Sequence, residues 1–86
     1  MSACDQLTFD GVTQPQWDCI KKTVQQKTGI IITSDSGSAS ERGFTVAWNY
    51  NTQTLGLTLH VTNKPFVISC ETINSIIEGV VSGCPQ

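Results

Sequence analysis

Charge is scarce in this chain. Five Lys and Arg stand against seven Asp and Glu in 86 residues, a formal net charge of −2. With a pI near 5.0, nothing draws the whole molecule electrostatically to nucleic acid or to an anionic membrane. Lys21, Lys22 and Lys27 are the basic residues nearest one another. They fall in one predicted helix, where a solvated face accounts for them. No apolar run approaches the ~18–20 residues of a membrane span. No signal peptide is visible either. Met1 directly before Ser2-Ala3-Cys4 is read as standing where a leader was removed, so a secreted, extracellular protein is expected.

Histidine occurs once, at His60. A small ribonuclease-like hydrolase would need His60 beside Glu41 and Arg42 for acid–base work and phosphate binding. Nothing in the spacing places them together, and an exposed polar sheet residue explains His60 more simply. There is no Cys-x-x-Cys, and cysteine gaps of 14, 50 and 13 residues match no zinc pattern. The scattered acidic residues form no calcium loop. Ser34–Ser40 (SDSGSAS) lacks the Gly-Lys-Ser/Thr of a phosphate loop and precedes a strand, not a helix. No metal or other cofactor is therefore expected. None of the four asparagines starts an Asn-x-Ser/Thr sequon.

What fills the chain instead is uncharged polar surface, which suits an extracellular protein. Eighty-six residues make one domain, 1–86. A core this small is marginal by itself, and such domains often carry staples.

Two helices are legible. Thr13 is a good N-cap, Pro15 suits a first turn, and Gln16 completes a capping-box pattern. Trp17, Ile20 and Val24 make one apolar stripe, and Gly29 is placed to stop the helix at positive φ. The second helix starts at Ser69 or Cys70, with Glu71 favouring its dipole. Its stripe is Ile73, Ile76, Ile77, Val80 and Val81, and Gly83 and Pro85 end it.

Strands fill the space between. Gly29–Ser34 (GIIITS) is a continuous apolar run. Residues 44–50 (FTVAWNY) alternate, with Phe44, Val46, Trp48 and Tyr50 on one face. Residues 54–62 alternate too, with Leu55, Leu57, Leu59 and Val61 inward and Thr58, His60 and Thr62 outward. Asn51–Gln53 is a hairpin turn, and QLTF near the start supplies a further strand. The Ser-rich stretch 34–43 reads as a flexible loop. The result is an α+β two-layer sandwich. Its mainly antiparallel sheet of three to four strands carries two helices on one face, in the order β-α-β-β-β-α.

Arg42-Gly43-Phe44 matches the opening of an RNA-recognition octapeptide. Thr45, Val46, Ala47 and Asn49 then depart from it, and GIIITS offers no aromatic partner. Single-strand binding needs stacking rings and a basic groove together. The strand therefore reads as core, with the Tyr50 hydroxyl reaching water at its end, and no nucleic-acid partner is expected.

Four cysteines allow three pairings. Cys70 and Cys84 bracket a helix and lie about 20 Å apart at 1.5 Å per residue, whereas a disulfide needs Cα atoms within about 7 Å. If each element reverses the last, Cys4 pairs with Cys84 and Cys19 with Cys70.

These features point to a small secreted, disulfide-stabilised, non-catalytic binding protein of effector or toxin-like character. It would recognise another macromolecule, either a protein or a glycan. The expected binding surface comprises Ser36, Ser38 and Arg42 from the loop with Thr45, Asn49, Thr58, His60 and Thr62 from the uncovered sheet face. A monomer and a homodimer paired through an edge strand are both compatible with it. The competing reading is an intracellular adaptor or inhibitor with reduced cysteines.

Overall fold

The computed structural model of the protein describes residues 4–85. Met1, Ser2, Ala3 and Gln86 lie outside these residues, and with them the reading of Met1 as the replacement for a leader. The elements are β1 (Leu7–Phe9), α1 (Gln14–Thr28), β2 (Ser36–Glu41), β3 (Phe44–Tyr50), β4 (Leu57–Asn63) and α2 (Cys70–Ser82). Their order is β-α-β-β-β-α. The strands form one antiparallel sheet in the spatial order β1-β4-β3-β2.

Both helices pack on the same face of this sheet. Trp17 and Ile20 of α1 and Val80 and Val81 of α2 join Trp48, Tyr50, Leu57 and Leu59 in one buried cluster. The Phe44–Tyr50 strand is thus a core strand: its alternate side chains point at the helices. Trp17 is fully buried and stacks on Tyr50, with ring centroids 5.3 Å apart.

Buried aromatics with polar handles need partners, and all three have one. Trp17 Nε1 donates to Asp35 Oδ1 at 3.0 Å, and Trp48 Nε1 donates to the Ser34 carbonyl at 3.0 Å. The Tyr50 hydroxyl does not reach water. It donates to the Val12 carbonyl at 2.5 Å, because the chain entering α1 closes over the end of β3.

The helix ends follow their local signals in part. Thr13 caps α1 by accepting from the Gln16 N–H, and Gly29 stops it at φ 81°. The reciprocal half of the capping box is absent, since the Gln16 side chain instead donates to the Val81 carbonyl and ties α1 to α2. Ser69 caps α2 through the Thr72 N–H. Of the expected α2 stripe, Ile73, Val80 and Val81 are buried, whereas Ile76 faces solvent.

Two expectations between the helices are corrected. The stretch 34–43 is not a flexible loop: residues 36–41 form the edge strand β2, hydrogen-bonded to β3. Arg42 and Gly43, at φ 55° and 85°, make the two-residue turn that joins them. Positive φ at both central positions matches the right-handed twist of a hairpin. Nor is the GIIITS run a strand of the sheet. It is a connector packed beside β2, with Ile30 and Ile32 in the core and Ile31 exposed. One end lies by Glu41, whose Cγ would stand 3.2 Å from a Cβ on Gly29. The other end is tied to β3 by the Ser34–Trp48 bond.

The disulfides are Cys4–Cys70 and Cys19–Cys84, with Cα separations of 5.4 and 5.7 Å. The expected Cys4–Cys84 and Cys19–Cys70 pairs do not form. The cause is one uncounted reversal. The connector runs back along β2 before β2 itself begins, so four extended segments, not three, separate the helices. That extra reversal inverts α2, bringing Cys70 beside Cys4 and Cys84 beside the first turns of α1. Cys70 and Cys84 stay apart at the two ends of α2, as the helix length requires.

Candidate binding face

The helices cover one face of the sheet and leave the other open. In the register of the sheet, Ala47 of β3 stands between Ser38 of β2 and His60 of β4. One step along, Asn49 stands between Ser36 and Thr58, and Thr58 in turn faces Thr8 of β1. In the other direction Thr45 stands opposite Ser40, and their hydroxyls meet at 2.7 Å. The Thr62 hydroxyl reaches toward the Thr45 carbonyl, at a long 3.5 Å.

Seven of the eight residues expected to bind therefore share this face: Ser36, Ser38, Thr45, Asn49, Thr58, His60 and Thr62. Arg42 does not. It sits at the hairpin turn beyond the end of β2, exposed at the rim. Four further residues of the face are not among those expected: Gln6, Thr8, Ser40 and Ala47. The alternation of QLTF already held the signal for Thr8. Ser40 had none, because β2 was not legible as a strand.

The chemistry of the face is uniform. Its strand positions carry hydroxyls, one amide, one imidazole and a methyl, and no charged side chain. Ala47 is short beside His60 and Asn49. A shallow depression results, lined by Gln6, Ala47, Trp48, Asn49, Thr58 and His60. No group of three His, Cys, Asp or Glu among the described residues is placed to hold a metal.

A hydrolytic constellation is not assembled. His60 sits mid-strand, two strands from β2, and Arg42 lies four residues past Ser38, the β2 residue level with it. The separation is about 10 Å across the sheet and about 13 Å along it. Glu41 is on the helix side of β2, as its pairing with Phe44 requires.

No helix among the described residues is long and apolar enough to cross a membrane. Comparison with protein-family models, curated proteins and solved structures returns no match.

Proposed function

We propose that the protein is an extracellular, non-catalytic binding module whose open sheet face recognises an uncharged polar macromolecule, a neutral glycan. The observation that carries this reading is the face itself. Four strands present hydroxyls, an amide and an imidazole, with no Asp, Glu, Lys or Arg at the outward strand positions. Hydroxyls and amides both donate and accept hydrogen bonds, as sugar hydroxyls do. A protein partner fits less well, because protein interfaces centre on aromatic or Arg anchors in desolvated pockets, and the outward strand positions carry no Trp, Tyr, Phe or Arg while the Trp48 indole packs in the core. The two disulfides support the extracellular assignment, since such bonds persist in oxidising compartments.

The test is a binding titration against neutral and acidic soluble polysaccharides. Neutral chains should bind and acidic ones should bind no better. His60→Ala, which removes one hydrogen-bonding group worth about 0.5–1.5 kcal/mol, should weaken binding about 2- to 13-fold. Asn49→Lys, at an exposed position, should abolish it without unfolding the chain. Full binding by Asn49→Lys would remove the face from consideration.

A further inference from the structure

Pro65-Phe66-Val67-Ile68 is a tight turn, closed by the Ile68 N–H donating to the Pro65 carbonyl at 3.2 Å. Its two central side chains are apolar and stand in solvent: Phe66 is 87% exposed and Val67 76%. The next most exposed large apolar side chains, Ile31 and Ile76, reach only 57% and 50%. Turns ordinarily place Gly, Asn, Asp, Ser or Pro at such positions, and folding buries almost nothing of this pair. The turn is also held from behind, since α2 begins at Cys70, which is bonded to Cys4.

Two cations border the turn. The Lys64 ammonium lies 3.4 Å from the Pro65 carbonyl. The β2–β3 hairpin abuts the same proline, because a Cβ on Gly43 would stand 3.4 Å from Pro65 Cγ. That contact brings the exposed Arg42 to the edge of the turn. Acids are close in the chain as well: Glu41 adjoins Arg42 and leans over Gly29, Glu71 sits in the first turn of α2, and Asp5 follows the Cys4 that is bonded to Cys70.

We infer that this turn docks on an anionic lipid surface. Phe66 and Val67 enter the boundary between headgroups and acyl chains while Lys64 and Arg42 remain among the headgroups. The observations favour a bilayer over a protein partner. The tip is convex, and two side chains fall far short of the roughly 800 Å² per partner that a stable protein interface buries. Overall charge does not oppose this, because fields from distant surface acids are screened beyond about 8–10 Å in physiological salt. The inference is independent of the open face.

Vesicle co-sedimentation tests it, using phosphatidylcholine with and without phosphatidylglycerol. The native chain should sediment with the anionic vesicles and be released by high salt. Phe66→Asp and Lys64→Glu should each weaken binding by about tenfold or more. Phe66 is exposed enough to change without loss of packing, and circular dichroism checks that both variants, Lys64→Glu at its half-buried position included, keep the fold. Phe66→Trp should shift its emission to the blue when anionic vesicles are added. A native chain that ignores anionic vesicles, or a Phe66→Asp variant that binds them unchanged, overturns the inference. So does self-association of the native chain that Phe66→Asp abolishes without any vesicle binding, which would assign the tip to a protein contact.

Discussion

Tyr50 is the chain's only tyrosine, and it shows how one buried polar atom makes stability depend on pH. Burial first, and then the negative charges of Asp35 and Asp18, raise its pKa above the ordinary 10.0. The folded phenol therefore holds its proton to higher pH than the unfolded one. Its contribution to stability is complete below about pH 10 and is lost as pH rises through the folded value. Tyrosinate absorbance should accordingly appear later in the native chain than in denaturant. Tyr50→Phe should remove that component of the alkaline instability. It should also cost about 1–3 kcal/mol at neutral pH, because the buried Val12 carbonyl loses its donor. A Tyr50 titration that matches the free phenol would contradict the buried geometry.

At the level of elements, the helices, the two inner strands and the short edge strand β1 were legible, and the edge strand β2 was not. β3 and β4 are covered on one face only, so burial imposes a period-two pattern that the sequence displays. Helix α1 announces itself through Thr13 and Gly29. β2 reads Ser-Gly-Ser-Ala-Ser-Glu and shows no apolar alternation. The reason lies on its inner face, where Gly37 opposes Trp48 and Ala39 opposes Val46. A Cβ on Gly37 would come within 3.3 Å of the Trp48 ring. The indole fills the space that a larger β2 residue would take, so the strand's core face must be small. Ile30 and Ile32 beside it bury instead, which gives the connector the appearance of a strand.

That exchange of roles also separates the observed disulfide pairing from the expected one: the connector adds a reversal between the helices that its strand-like sequence conceals. The bonds close loops with sequence separations of 66 and 65 residues. In the chain-entropy model each contributes about 4 kcal/mol, enough to decide the folding of so small a core. Reducing both, or replacing Cys19 and Cys84 together by Ser, should unfold the chain or lower its midpoint sharply. A non-reduced peptide map should show Cys4–Cys70 and Cys19–Cys84 and no other linkage. Recovery of Cys4–Cys84 would require α2 to run the opposite way.

For the molecule as a whole, the sheet divides the work. One face binds the helices through aromatic and aliphatic packing. The other is left as a neutral polar plane. The candidate face was legible because its members on β3 and β4 are simply the complement of the core residues. Ser36 and Ser38 were assigned to it through an expected loop and reach it through β2. Arg42 separates from them because the chain turns at that residue. No pattern in the sequence announced the Phe66–Val67 tip, since its exposure follows from how the turn projects beyond the stapled start of α2.

The most direct measurement is a ¹⁵N–¹H spectrum of the oxidised chain titrated with a soluble neutral polysaccharide. Shifts should concentrate on Ser38, Thr45, Asn49, Thr58 and His60, leaving the α1 and α2 amides unmoved. A saturating titration with no shifts on these strands, or with shifts confined to the helices, would contradict the open face as the recognition surface.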